Sequence, residues 1–331
     1  MKRPVTEILN AVSACLARHG LVPDDAAAVA EHLVEADMWG RAGHGVNLRL
    51  KQICEKLDQR GGESPRTRIA KDCGSAVRID ADNELGYLMI VRGAELAIDR
   101  VSKHGLAIVG VSCTTHTGML GYSTFLVARA GFVSIAFSHC CPLVLPFGGA
   151  ESLLGTNPLS FAFPREPYPI LVDMATSAVT YGQCREKIAR NEPIEPGCAI
   201  DADGNPTTDP AKALEGALLP LGGVKGTALA TAIQLMSGVL TGAAPVPPPQ
   251  QDYGFACIAM QPDLLRGDNG YQAALEEYVR ALDAIPAQQG REGPRLPGAR
   301  AFASREKALA EGLDIDDALW NDLIVEGSAK R

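Results

Sequence analysis

Over the first sixty positions, apolar residues return at the spacing of a helix face. Ile8, Leu9, Val12, Cys15 and Leu16 make one stripe, which stops at His19-Gly20, a helix-ending signal. A second helix is predicted after Pro23, with Asp24 as its N-cap, carrying Val29, Leu33 and Ala36 toward Trp39-Gly40. A third is predicted from about Val46 to Leu57, closed by Arg60-Gly61-Gly62. Between 67 and 180 the pattern alternates. Arg66–Lys71 and Ala76–Asp80 read as short strands, and Gly86–Lys103 as a long helix. Leu106–Val111, apolar and rich in β-branched residues, reads as a buried strand. Met119–Ala130 reads as helical, and Val133–Phe137, Leu159–Phe163 and Ile170–Asp173 as further strands.

Farther along, Gly226–Leu240 reads as one long helix rich in Ala and Leu, and Pro245–Pro249 as a surface loop. Phe255–Met260 reads as a strand and Tyr271–Ile285 as an amphipathic helix ended by Pro286. The Gly-, Pro- and Gln-rich Pro286–Arg300 reads as extended. Interleaved helices and strands without an internal repeat predict an α/β fold. Three regions are expected: an N-terminal helical region over 1–65, an α/β core over 66–245, and a C-terminal strand/helix region over 246–331 that packs back on the core.

Composition removes several classes. The 331 residues are 46% hydrophobic and 21% charged, a globular balance, but only 5% aromatic. Few stacking rings, a net charge of −8 and no block of Lys or Arg argue against a nucleic-acid partner. The longest apolar runs fall short of the roughly 20 residues of a membrane-spanning helix, so no membrane partner is expected. Met1-Lys2-Arg3-Pro4 lacks the apolar core of a signal peptide, which makes a cytoplasmic protein the default. The nine cysteines contain no C-x-x-C pair. Cys140-Cys141, preceded by His139, reads as small thiols filling a buried strand end, with a metal or redox site as the alternative. No metal ligand set is assigned.

Several common motifs are missing. No G-x-G-x-x-G follows a strand, and Gly222-Gly223-Val224-Lys225-Gly226-Thr227 has the wrong spacing for a P-loop. Neither H-E-x-x-H nor G-x-S-x-G occurs. What remains is a series of Gly-, Thr- and Asp-bearing punctuations. Lys225-Gly226 opens a predicted helix, where free N–H groups and the positive dipole end suit an anion. Each one alone has a plain reading: a turn histidine, helix caps, a solvated lysine, an aspartate bonding backbone.

Their combination and order are more specific. Gly43-His44-Gly45-Val46, His116-x-Gly118-x-x-Gly121-Tyr122, Pro146-Phe147-Gly148-Gly149, Gly155-Thr156-Asn157-Pro158, Asp173-Met174-Ala175-Thr176-Ser177 and Leu219-Pro220-Leu221-Gly222-Gly223-Val224-Lys225-Gly226 follow one another. Asp203-Gly204-Asn205-Pro206-Thr207-Thr208-Asp209-Pro210 lies between the last two. The series resembles the malate/L-lactate dehydrogenase family of the non-Rossmann type, from about residue 5 to 310.

That resemblance implies a non-Rossmann NAD(P)-binding α/β fold, a two-electron oxidoreductase using NAD or NADP, and a homodimer with the site near its interface. The implied substrate is a small carboxylate: a 2-oxo acid, a 2-hydroxy acid or a cyclic ketimine carboxylate. His44 matches the family's proton donor, a role suited to an imidazole titrating near neutrality. His116 matches a second position close to the nicotinamide, with the acid–base role in some members. Asp173, Met174, Ala175, Thr176, Ser177, Lys225 and Gly226 match cofactor-binding positions. So do Gly298 and Arg300 of the tail motif Leu296-Pro297-Gly298-Ala299-Arg300. Thr156 and Asn157 are expected to shape the substrate pocket rather than react.

Two departures bear on the substrate. Gly43 stands where the family usually has Ser, and Leu48 where it often has Arg, with Arg49 beside it. Arg49 is then the candidate carboxylate clamp, although one residue turns a helical side chain by roughly 100° and could carry it elsewhere. A catalytically altered or inactive member that binds cofactor or ligand is the alternative these departures raise.

Overall fold

The computed structural model describes residues 2–328, with side chains to residue 323. A two-residue strand β1 (Lys2–Arg3) precedes helices α1 (Val5–Arg18), α2 (Pro23–Met38) and α3 (Val46–Gln59). The predicted stripe of α1 is the face it buries: Ile8, Val12, Cys15 and Leu16 are all inaccessible or nearly so. Asp24 is not an N-cap. It lies inside the first turn of α2, behind Val22 and a proline at N1, whose fixed φ already suits a helix start.

The core follows as β2 (Arg68–Asp72), β3 (Ala76–Glu84), α4 (Gly86–His104), β4 (Leu106–Thr114), α5 (Gly121–Arg129), β5 (Val133–Ser138), β6 (Leu159–Phe163) and β7 (Ile170–Met174). A lobe of short elements comes next: α6 (Tyr181–Arg190), β8 (Ala199–Ile200), α7 (Pro210–Glu215) and β9 (Ala217–Leu218). Helix α8 (Val224–Gln234) is not the single long helix expected, for at Leu235–Val239 the chain widens into a π-helical turn. The chain ends with β10 (Tyr253–Met260), α9 (Tyr271–Asp283), α10 (Ala299–Glu311), β11 (Leu313–Asp314) and α11 (Asp317–Ser328). Helix α10 starts at Ala299, so the last two residues of the segment expected to be extended, Ala299 and Arg300, are helical.

Seven strands form one mixed sheet in the order β2-β3-β4-β10-β5-β6-β7. Only β3 and β4 run parallel. Strand β10 sits in the middle, with Phe255 opposite Val111 of β4 and Ser138 of β5. A strand paired on both edges and covered on both faces has nowhere to put polar side chains, and Tyr-Gly-Phe-Ala-Cys-Ile-Ala-Met has none that is charged. Helices α4 and α5 cover one face through Met89, Ile90, Ala94 and Val127. The π-helical turn crosses the other so closely that a Cβ on Gly254 would fall 1.6 Å from the Ser237 carbonyl oxygen.

The first and last strands meet. β1 pairs with β11, and Phe302 of α10 packs between Trp39, Phe125 and Tyr168, with ring centroids 5.4, 5.9 and 4.7 Å away. Arg305 holds Glu35 of α2 through both carboxylate oxygens, and Glu35 in turn accepts from the Trp39 indole N–H at 2.7 Å.

Candidate active site

Two histidines separated by 72 positions come together at the entrance to the sheet. A 3₁₀ turn, Ala42–His44, links α2 to α3 and carries one; the loop after β4 carries the other. The His44 and His116 rings are nearly parallel, 12° apart with centroids separated by 5.6 Å. The Gly118 N–H donates to His116 Nδ1 at 3.1 Å, which fixes the neutral tautomer with its proton on Nε2. His44 Nδ1 is buried without a hydrogen-bond partner, and such an atom in a folded protein calls for an explanation.

The backbone around His44 is tightly specified. The Asp37 carboxylate accepts the first N–H of α3, from Val46, at 2.8 Å. A Cβ on Gly45 would lie 1.8 Å from Asp37 Oδ1, so only glycine admits this cap. Burial pushes Asp37 up to about 7, and Glu186 adds to the rise. Gly43 faces Gly182 of α6 backbone to backbone: a Cβ on Gly43 would lie 3.1 Å from the Gly182 Cα.

Arg49 is buried on α3, and its Nε donates to the Gly43 carbonyl at 2.7 Å. One guanidinium N–H also reaches Gln52 at 3.1 Å. Its charge acts on both histidines and on Tyr87, so the one-residue offset from position 48 has not carried it out of the site. The expected near-neutral titration of His44 is not what the fold provides. Burial, then Arg49, pushes it down to about 3, and the same two causes put His116 well below its ordinary value. Both imidazoles are neutral around pH 7.

Sequence reasoning missed Tyr87. It opens α4, with its ring 5.7 Å from His116 and 4.7 Å from His32, and its hydroxyl is buried without a partner. His32 is structural: Met119 N–H donates to its Nε2 at 3.0 Å, and its Nδ1 meets the Tyr87 carbonyl at 3.3 Å. The one available signal was a phenol in the first turn of an otherwise apolar helix face.

The remaining predicted residues build an adjoining wall. Asp173, at the end of β7, sits against the start of α5. Burial raises it to about 6, with Arg41 and the Gly121 N–H opposing. Arg41 also acts on His44, which links this carboxyl to the imidazole pair. Thr176 N–H donates to the Thr156 carbonyl at 3.0 Å, and Thr176 Oγ1 donates to the Asn157 carbonyl at 3.1 Å. Leu221 N–H then donates to the Thr176 carbonyl at 2.8 Å, tying this loop to the start of α8. Asn157 is a strut. Its amide nitrogen donates to the Ala230 carbonyl and to Gln234, at 2.9 and 2.7 Å.

At the α8 N-terminus, Gly222 and Gly223 adopt left-handed φ of 63° and 61°. A Cβ on Gly226 would lie 2.1 Å from the Leu221 carbonyl oxygen, and Lys225 is exposed. Met174 and Ala175 lie on the loop between Asp173 and Thr176, with Met174 exposed. Ser177 Oγ is buried and unpartnered. Gly298 caps α10 at φ 88° close against Leu171 of β7, whereas Arg300 is exposed.

His139 is not a ligand in waiting. Gly254 N–H donates to its Nδ1, and its Nε2 meets the Ala244 carbonyl, so both ring nitrogens are engaged by backbone. Cys140 and Cys141 are half-buried, with Cys140 Sγ 3.9 Å from Thr156 Oγ1. A cleft of about 730 Å³ lies elsewhere, between α1, α2 and α10, and contains none of these residues.

Residues 4–324 match the family model of malate/L-lactate dehydrogenase. The chain belongs to the malate/L-lactate dehydrogenase family. Among its relatives is the L-sulfolactate dehydrogenase of Methanocaldococcus jannaschii, 34% identical over 319 residues, with 93% of this chain and 91% of that protein covered. A solved structure of sulfolactate dehydrogenase from the same organism superposes with a TM-score of 0.87 at 31% identity, over 98% of this chain and 95% of that one. The ureidoglycolate dehydrogenase (NAD(+)) of Escherichia coli K12 is 35% identical, covering 93% and 91%. The Delta(1)-pyrroline-2-carboxylate reductase 2 of Burkholderia multivorans is 32% identical, covering 93% and 92%. This malate/L-lactate dehydrogenase family member is therefore an oxidoreductase, its relatives being dehydrogenases and reductases of hydroxy acids and cyclic imine carboxylates. No helix among its described residues is long and apolar enough to cross a membrane.

Proposed function

We propose that this chain is an NAD- or NADP-dependent dehydrogenase/reductase of a small carboxylate, a 2-oxo or 2-hydroxy acid or a cyclic ketimine carboxylate, with His44 as its proton donor. The observation that carries this reading is the parallel His44–His116 pair, with a buried, unpartnered His44 nitrogen inside the field of Arg49.

A nicotinamide dinucleotide suits the adjoining wall. Helix N-termini leave their first N–H groups without intrahelical partners, and α8 presents such an end beside Lys225 and a glycine turn. The unpartnered Ser177 hydroxyl is a ribose or phosphate donor of the right kind. Thr176, Asp173, Met174, Ala175, Gly226, Gly298 and Arg300 complete the proposed cofactor set. When bound, the nicotinamide takes up or delivers the hydride.

The chain's own residues handle the carboxylate and the proton. Arg49 attracts the substrate carboxylate, with Thr156 and Asn157 shaping the pocket behind it. Neutral His44 accepts the hydroxyl proton during oxidation. In the reverse direction the carboxylate neutralises Arg49, removing the second cause of the low His44 titration, and lets His44 hold the proton it gives to oxygen or nitrogen. His116 stacks on the reacting imidazole as its acid–base partner.

We propose a homodimer as the working form. Beside the wall, Leu221, Val224, Leu235, Val239 and Leu240 form an apolar face 45–60% exposed, a surface that a second copy would cover. Sedimentation velocity checks this, a monomer at micromolar concentration being the contrary result. For the activity, purified protein is mixed with NADH or NADPH and a panel of 2-oxo acids and ketimines while nicotinamide absorbance is followed. Oxidation with at least one acid is expected, and failure to bind either nucleotide ends the proposal.

A further inference from the structure

One group of soft ligands lies outside the enzymatic site and was not foreseen from the sequence. Cys15 lies on α1 and His19 caps its C-terminus four residues on, so the two share one face. Cys54 and Asp58 repeat that spacing on α3, and the two faces meet. Among the described residues, the two sulfurs and a ring nitrogen of His19 all lie within 4.8 Å of one another. The sulfurs themselves are 3.8 Å apart. Asp58 Oδ1 lies 2.6 Å from His19 Nδ1, an arrangement that orients the imidazole.

We propose that Cys15, His19 and Cys54 form a binding site for a thiophilic divalent cation of the zinc class, pinning α1 to α3. Two thiolates held at about 2.3 Å in a tetrahedron are about 3.8 Å apart, so the observed separation needs no closure to accept the ion. A disulfide would need the same sulfurs to approach to about 2.05 Å. Two thiolates and one imidazole are the soft set that prefers zinc over magnesium or calcium. Asp58 supplies the carboxylate that metal-bound histidines usually engage. Both cysteines are buried while His19 is about one-fifth exposed, so the ion would enter from the His19 side, with water completing its shell. Binding displaces one proton from each thiol to solvent and oxidises nothing. Cys54 lies five residues beyond Arg49 on α3, so the ion would steady the helix that carries the proposed clamp.

The test uses untagged, reduced, chelator-stripped protein titrated with Co²⁺ and then Zn²⁺. One equivalent of Co²⁺ should produce a sulfur-to-metal charge-transfer band that Zn²⁺ displaces, and Zn²⁺ should raise the melting midpoint. Cys15→Ser and Cys54→Ser should each remove most of the band. His19→Ala, at a partly exposed position that leaves folding intact, should abolish the Zn²⁺-dependent rise in melting. Asp58→Asn should weaken affinity by about 10–100-fold. The double variant Cys140→Ser/Cys141→Ser should bind as the parent does. A missing band, a band that survives the double variant Cys15→Ser/Cys54→Ser, or a Cys15–Cys54 disulfide in protein isolated without reductant would each overturn the proposal.

Discussion

Between His44 and His116 the division of labour can be measured. With the proton donor at position 44, His44→Ala should lower kcat by about 10²–10⁴ and leave nucleotide Kd nearly unchanged. If His116→Ala instead carries the whole loss while His44→Ala keeps full rate, the donor role belongs to His116. Arg49→Lys keeps the charge but loses the planar fork, and should raise KM for the carboxylate by about 10–100-fold with a smaller effect on kcat. Both histidines were legible because each stands in a glycine-bearing motif whose order along the chain is specific. Tyr87 and Asp37 were not. Their importance comes from what the fold buries against them, and neither sits in a pattern that a one-dimensional reading separates from ordinary helix residues.

Whole elements were read correctly where period and punctuation agreed, as in α1, α3 and α4. Helix α8 shows where that reading fails. Its apolar run continues through Leu240, yet the helix widens at Leu235. There the Ser237 hydroxyl donates back to the Ile233 carbonyl at 2.7 Å and the turn presses on Gly254. Such hydroxyl-to-backbone bonds compete with the regular ladder. At the other end of α8, Gly226→Ala places a methyl 2.1 Å from a carbonyl oxygen and must push the Leu219–Gly223 loop away. The expected outcome is at least a tenfold rise in the Kd of NADH or NADPH, measured by fluorescence titration. Unchanged affinity would remove α8 from the cofactor site.

For the molecule as a whole, the last two helices, α10 and α11, were the least legible part. Their apolar residues find partners on α1, α2 and α5 and on Tyr168, all more than a hundred positions earlier. Phe302→Ala should cost about 3–5 kcal/mol of unfolding free energy in a denaturant titration. Acid tolerance is a second global property. Burial lowers His32 to about 4, His44 to about 3 and His116 well below 6.5, so below pH 6.5 the unfolded chain takes up protons that the native state refuses. That erodes stability as pH falls. Asp37 and Asp173, raised to about 7 and about 6, are protonated natively where the unfolded chain is not, and oppose it. Burial also lowers His139, so the lowered histidines outnumber the two raised carboxyls and stability falls as pH drops toward 5. Asp37→Asn removes one opposing group and should steepen that fall by about 1.4 kcal/mol per pH unit near pH 5 in denaturant titrations across pH, and an unaltered slope would refute the assignment.

Strand β10 ties all of this to the order of synthesis. A ribosome that has delivered the first 250 residues has made β4 and β5 but not the strand that separates them. The nascent chain must then hold two long, apolar, unmatched edges apart until Tyr253–Met260 arrives, a situation prone to mispairing and aggregation. Premature termination anywhere upstream of Tyr253 should therefore yield insoluble product rather than a smaller folded unit, and the intact chain should lean on holding chaperones from the synthesis of Ser138 until Met260 is in place.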